Sequence, residues 1–405
     1  MIIHRGHDLE SIRRLIKDFP VAAILGPRQC GKTFLAKQIK ADHYFDLENP
    51  RDLAAFDQPQ LLLENLKGVI AIDEVQRRPE LFPTLRYLVD NNPRQKYLIL
   101  GSASGALLHQ SSESLAGRIG YYYLGGFHLD DVGPKNIQKL WARGGFPKSF
   151  LAASVDKSHQ WLDNYLTTFL EKDIPQLGIT IPAQTLRRFW MMLSHYHGQI
   201  VNFSEIGQSF GVSDMTVRKY IDILEATFIV RIIQPWHSNT AKRLIKRPKI
   251  YFKDPGVLHR LLTIDKEKDL QTHPKLGASW EGFALETVIR SLGLNTQETF
   301  FWGTHAGAEL DLFWQAKGKN WGVEFKYGDA PKVTKSMQSA LEDLKLVHLW
   351  VVYPGEKIYP LAAKVTALPL KAIKFSQSKA LVYHQSVAKV APPSAGQVQL
   401  RQSDI

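Results

Sequence analysis

Cysteine is almost missing from this chain: Cys30 is the only one among 405 residues. That excludes a disulfide framework and a cysteine-built metal cluster, and it suits a reducing compartment. Long apolar runs are missing as well, none approaching the roughly 18 residues that cross a bilayer. Near the start, Glu10 and two arginines fall where a secretion signal would need its apolar segment. The expectation is a cytoplasmic protein with no membrane partner. Acidic residues are in deficit, 39 against 51 Lys and Arg, for a net charge of +12. Such an excess favours acidic partners, nucleic acid first, with solubility alone as the plain alternative. No internal repeat is evident, and the length predicts two or three domains.

What is present centres on Gly26-Pro27-Arg28-Gln29-Cys30-Gly31-Lys32-Thr33. It satisfies G-x-x-x-x-G-K-[ST] at every fixed position, after the apolar run 21–25 and before a helical pattern at 34–39. The glycines let successive N–H groups turn toward one anion, and the following helix N-terminus adds partial positive charge. Lys32 would reach the β and γ phosphates of a nucleotide, ATP, and Thr33 would place a hydroxyl on Mg²⁺. A short amphipathic helix at 9–16 precedes the loop, and a second strand is expected at 44–47. Strand and helix alternate, which predicts a parallel sheet. The third strand, 69–72, ends in Asp73 and Glu74, where Asp73 would hold Mg²⁺ and Glu74 would polarise the attacking water. The fourth, 97–100, ends at Gly101-Ser102, and Ser102 is a candidate partner of the γ phosphate. Arg118, after Leu115-Ala116-Gly117, is a candidate clamp on the transferring phosphoryl group. If it acts on a neighbouring copy, the chain works as a homo-oligomer.

These segments, with Ile72 to Phe82 around the acidic pair, resemble a prokaryotic AAA-type ATPase family whose members carry a C-terminal domain of unknown function. Gly144-Gly145-Phe146-Pro147 and Phe169-Leu170-Glu171-Lys172-Asp173-Ile174 extend the resemblance along the chain. It implies a nucleotide-hydrolysing core in which a glutamate follows the Mg²⁺ aspartate. It implies no particular substrate.

Beyond a helical connector, Asn202 with Glu205 reads as a helix start, Gly211 as its stop and Ser213 as the next start. Val217, Tyr220, Ile221 and Leu224 then recur at helical spacing, giving a helix-turn-helix with Arg218 and Lys219 on its outer face. Strands at 228–233 and 249–252 fit a wing, and the stretch 242–249 holds five positive charges, including Lys242, Arg243, Lys246 and Arg247. A basic winged helix suits double-stranded DNA through phosphate contacts; winged helices also serve as protein-binding modules.

In the C-terminal third, period-two alternation puts Glu309 and Asp311 on one strand face and Leu310 and Leu312 on the other, and Glu324 and Lys326 on one face of the next strand. An acid, a hairpin, then acid-x-lysine is a metal-dependent phosphodiesterase arrangement. These residues resemble the PD-(D/E)xK nuclease fold, with Asp311, Glu324 and Lys326 at its core positions and Glu281 at the acid of its first helix. The resemblance implies a second divalent ion, Mg²⁺ or Mn²⁺, on Glu281, Asp311 and Glu324; a fold kept only for binding is the alternative. The expected organisation is α/β throughout. A P-loop parallel sheet of AAA type spans 1–135, a helical connector 136–195, a winged helix 196–255, a restriction-endonuclease-like domain 256–375 and a polar tail 376–405.

Overall fold

The computed structural model describes residues 2–102, 113–176, 181–237, 244–374 and 382–383. Lys242, Arg243 and nearly all of the expected tail lie outside them. The strand β1 (Val21–Gly26) is buried at every residue, as a parallel strand covered on both faces must be. It lies between β4 (Gln95–Ser102) and β5 (Ile119–Tyr123), and the sheet continues from β4 through β3 (Gly68–Asp73) to β2 (His43–Asp46). All four pairings are parallel. The carboxyl ends of all five strands therefore meet at one edge, the side on which open α/β sheets bind ligands. Along β1 the side chains alternate between two cores. Ala22 and Ile24 pack with Leu9, Ile12 and Ile16 of the helix Gly6–Asp18, while Val21, Ala23 and Leu25 pack with Leu81, Leu85 and Leu88 of the helix Leu81–Asn91. Each fully buried Val, Leu or Ile among them contributes about 1.5–3 kcal/mol.

Between 136 and 195 the described residues form helices, the longest being Val155–Thr168 and Ala183–His195. The next two, Phe203–Phe210 and Asp214–Ala226, meet where expected. Gly211 takes the left-handed conformation (φ 65°), and the Ser213 hydroxyl accepts from the Thr216 N–H at 3.2 Å. The Asn202 capping box does not form; its amide bonds the Glu205 carboxylate instead, at 3.2 Å.

Two differences from the sequence reading follow. The strand expected from 228 begins at Val230, because Phe228 sits at φ 64°, outside the conformations of a β ladder. The hairpin of β7 (Val230–Pro235) and β8 (Lys249–Phe252), with β6 (Gln199–Ile200) on its outer side, does not stand free either. β7 also pairs in parallel with β9 (Phe300–Gly303). These three strands therefore extend one nine-stranded sheet, which runs on through β10 (Glu309–Ala316), β11 (Lys319–Phe325), β12 (His348–Tyr353), β14 (Val365–Pro369) and β13 (Tyr359–Ala362). The position 255/256 falls in sequence between β8 and β9 of this sheet. On the described residues flanking the β7–β8 connection, Trp236 lies against Phe300 and Phe313, and the Ile245 N–H bonds the Gly303 carbonyl at 3.0 Å.

Candidate nucleotide site and carboxylate cluster

The loop 26–33 leaves the carboxyl end of β1 and enters the helix Lys32–Ile39. Gly31 (φ 104°) and Gln29 (φ 62°) both take positive φ, so the loop curls tightly. A side chain at Gly26 would run into the Leu124 carbonyl, which explains glycine there. Lys32 is buried and its ammonium donates to the Gly26 and Pro27 carbonyls, 3.0 Å each, across the mouth of the loop. Arg28 pairs with Asp173, which brings the Phe169–Asp173 turn of the connector against the loop.

Asp73, at the end of β3, is almost fully buried. Its Oδ2 accepts from the Thr33 hydroxyl (2.7 Å) and the Tyr44 hydroxyl (2.6 Å), and its Oδ1 from the Glu74 N–H (2.9 Å). Thr33 Oγ1 and Asp73 Oδ2 are thus hard oxygen donors at the spacing of neighbouring ligands on an octahedral Mg²⁺, about 3 Å for metal–oxygen bonds of about 2.1 Å. The pair fits that ion, with phosphates and waters to complete its shell. Glu74 is half-buried and held at φ 57°, a conformation costing about 1–3 kcal/mol in a residue with a side chain and concentrated at functional sites. Its carboxylate accepts from Gln76. Burial pushes its pKa above the ordinary carboxylate range, with Lys32 and the Gln76 hydrogen bond opposing. Ser102 pairs with Gly26 across β4 and β1, so its backbone lies beside the loop.

Arg118 does not join this site. Its carbonyl accepts from the Val21 N–H at the opposite end of β1, about 17 Å of strand from Gly26, and its guanidinium holds Asp90 at 2.6 and 2.9 Å. That distance is too long for a clamp on a nucleotide held at this chain's own loop.

A buried ionic chain that patterning does not reveal ties the loop to the C-terminal third. Arg5 donates to the carbonyls of Cys30 (3.1 Å), Gly125 (3.2 Å) and Gly126 (3.1 Å), and to Asp8 (2.5 Å). Asp8 also accepts from Tyr122 and from Arg290 of the helix Leu276–Leu292, both at 2.5 Å. Burial alone would raise the Asp8 carboxyl, but Arg290 and Arg5, with the Tyr122 hydrogen bond, hold it below the ordinary range. Beside this chain lies a cavity of about 380 Å³, with Pro27 of the loop on one wall and Arg231, Lys253 and Glu286 on another.

The C-terminal acids do converge. A β-bulge between Leu310 and Phe313 interrupts the β10–β9 ladder. Leu310 and Leu312 therefore enter different cores rather than sharing a face, and Asp311 turns so that its Oδ2 accepts the Phe325 N–H at 2.9 Å. Lys326 donates to Glu324 Oε1 at 2.6 Å, and the other oxygen of Glu324 is buried with no hydrogen-bond partner. Burial, then Asp311, pushes Glu324 up to about 8; burial and Asp311 likewise push Glu281 to about 7.

The expected ion on Glu281, Asp311 and Glu324 does not fit this arrangement, because a lysine ammonium is already among the acids. Lys249 Nζ lies 3.5 Å from Glu281 and 3.4 Å from Asp311 and pairs with Glu309. Among the described residues no group of three His, Cys, Asp or Glu side chains is placed to hold a metal ion. By sequence alone Lys249 belongs to the basic stretch 242–249. The signal that could have separated it is strand parity, since Lys249 shares a face with Tyr251, whose hydroxyl bonds Glu281 at 2.6 Å. Of the expected DNA contacts, Arg218 and Lys219 are exposed on the second helix of the pair, with the Arg218 guanidinium 4.0 Å over the Phe203 ring. Lys246 and Arg247 are exposed on the approach to β8.

Among the described residues no helix is long and apolar enough to cross a membrane. Residues 18–132 match the AAA domain, 134–268 a domain of unknown function (DUF8612) and 276–373 another (DUF4143). Two uncharacterized proteins, Rv2008c of Mycobacterium tuberculosis and Mb2031c of Mycobacterium bovis, are each 46% identical over 377 residues, covering 92% of this chain and 85% of their own. Among solved structures, the Walker-type ATPase PABY2304 of Pyrococcus abyssi is 16% identical with a TM-score of 0.45, over 64% of this chain and 96% of its own. A replication initiator DnaA bound to AMPPCP and single-stranded DNA is 12% identical with a TM-score of 0.27, over 56% and 90%. With a phosphate loop after β1, an acidic pair at the end of β3, the AAA and DUF4143 matches and the 46% identical relatives, the chain belongs to the family of AAA-domain P-loop ATPases that carry a C-terminal DUF4143 domain, together with its mycobacterial relatives.

Proposed function

We propose that the chain hydrolyses ATP at the loop 26–33 and that this hydrolysis is coupled to the grip of its middle and C-terminal parts on double-stranded DNA. One observation carries the hydrolytic half: Thr33, Asp73 and Glu74 stand together at the carboxyl edge of the sheet, with Lys32 across the loop. Phosphates entering the loop would meet its N–H groups and draw the Lys32 ammonium away from the Gly26 and Pro27 carbonyls toward the β and γ oxygens. Mg²⁺ held by Thr33 and Asp73 would neutralise charge developing on those oxygens. Glu74 would orient and deprotonate the attacking water, and Gln76 would fix its carboxylate.

The DNA half is supported by the excess of basic residues and by the exposed Arg218, Lys219, Lys246 and Arg247. Anisotropy of a labelled duplex against salt tests it. Each phosphate contact contributes about 0.9 to the log–log slope, so the paired change Arg218→Ala and Lys219→Ala should flatten that slope by about 1.8. An unchanged slope would remove the helix pair from the interface. A second reading, a switch addressed to a protein, is favoured by Met215, 76% exposed on the same helix beside Asp214. Under that reading the duplex binds weakly and the slope is indifferent to Arg218.

A further inference from the structure

We infer that Lys249 is the resident cation of the C-terminal carboxylate cluster, standing where a divalent ion would stand, so that this domain holds a metal-free site and does not cut phosphodiester bonds. The inference goes beyond the ATPase and DNA-binding reading and does not depend on it.

The geometry is that of a cation site already filled. Glu281 comes from the helix Leu276–Leu292 and Glu309 and Asp311 from β10, so two separate elements close on an ammonium supplied by a third, β8. An ammonium has three N–H donors, and three carboxylates face it here. Its side chain is only 3% exposed, so it is not a surface lysine that happens to lean inward. The Phe301 ring, 5.6 Å from Nζ, adds the negative face of an aromatic system.

Several of the neighbouring oxygens are also committed: Asp311 Oδ2 accepts a backbone N–H, Glu281 Oε1 accepts from Tyr251 as well as facing Lys249, and Glu324 Oε1 accepts from Lys326, while Glu324 Oε2 has no hydrogen-bond partner. A Mg²⁺ ion needs near-octahedral oxygens at about 2.1 Å. Delivering them would require the buried ammonium to leave its carboxylates, and separating one member of such a buried cluster is strongly unfavourable. The motif Asp311, Glu324, Lys326 is therefore complete by residue type, while its ion position is taken by a residue that lies outside the motif.

The test is Mn²⁺ binding to the nucleotide-free full chain, followed by electron paramagnetic resonance of the free ion. Native protein and Asp311→Asn should take up Mn²⁺ equally, since no ion sits on Asp311. Lys249→Met should gain a site at least about tenfold tighter, and adding Asp311→Asn to it should abolish the gain; Lys249→Arg, which keeps a cation, should gain nothing. Native protein binding an ion that Asp311→Asn removes would overturn the assignment, as would a folded Lys249→Met that binds no more Mn²⁺ than the native chain. The first comparison needs no change at Lys249, so the inference stays exposed even if Lys249→Met does not fold. Plasmid nicking by native protein in Mn²⁺, lost in Asp311→Asn, would overturn it as well.

Discussion

Glu74→Gln is expected to bind ATP as the native chain does and to turn it over about 10²- to 10⁴-fold more slowly, the usual span for loss of a positioned general base. The two side chains are nearly isosteric, and the amide can keep the hydrogen bond to Gln76. The loop, Lys32, Thr33 and Asp73, which would hold the phosphates and the ion in the proposed site, are untouched. What is lost is the ability to take a proton from water. Lys32→Ala should behave differently and lose nucleotide affinity itself, because in the proposed site its ammonium would meet the β and γ phosphates. Equilibrium binding of a fluorescent ATP analogue, set beside phosphate release, separates the two. Turnover at the native rate in Glu74→Gln would refute the water-activating role.

The second large effect is one of stability. Asp8 is fully buried and accepts from Arg5, Tyr122 and Arg290. Asp8→Ala would leave two guanidiniums, 3% and 15% exposed, with Asp131, at 3.7 and 3.9 Å, as the carboxylate in ion-pair range of both. Removing one partner of a buried ionic group costs about 3–5 kcal/mol, a large share of the roughly 5–15 kcal/mol that holds a domain folded. The same change should weaken nucleotide binding, since Arg5 also holds the Cys30 carbonyl of the loop. A pH series checks the cause. The Asp8 carboxyl lies below its ordinary value of 3.8 in the fold, so its stabilisation is fully present above that value and is lost as the pH falls through the lower, folded value. The gap between native and Asp8→Ala denaturation midpoints should accordingly narrow in strong acid. A gap below about 1 kcal/mol at neutral pH, the size of an ordinary substitution, would mean that the arginines find other partners.

How much of this was legible in the sequence depended on whether the signal was local. The phosphate loop is a contiguous pattern and needs no tertiary information, and Asp73 and Glu74 inherit their place from the four apolar residues before them. The helix pair around Gly211 was equally readable, because its stop and start residues act on their own backbone. Arg118 shows the opposite case. Its surroundings resemble a family motif, but which end of β1 it lies beside is set by the pairing of β5 with β1, which no local pattern encodes. Lys249 and Arg290 were hidden for a related reason. Each is a single basic residue whose partners lie far along the chain, at Glu309 and Asp311 for one and at Asp8 for the other, and basic residues at isolated positions look like surface. Leu312 changed faces because a bulge adds one residue to β10, and a bulge leaves little trace in an alternating pattern.

The central claim, that the loop 26–33 hydrolyses ATP in concert with DNA bound elsewhere on the chain, is tested most directly by steady-state ATP turnover with and without a saturating duplex. The account predicts faster turnover with duplex, and loss of that increase, with the basal rate retained, when Arg218 and Lys219 are both replaced by alanine. Equal turnover with and without duplex in the native chain, at duplex concentrations where binding is seen, would contradict it.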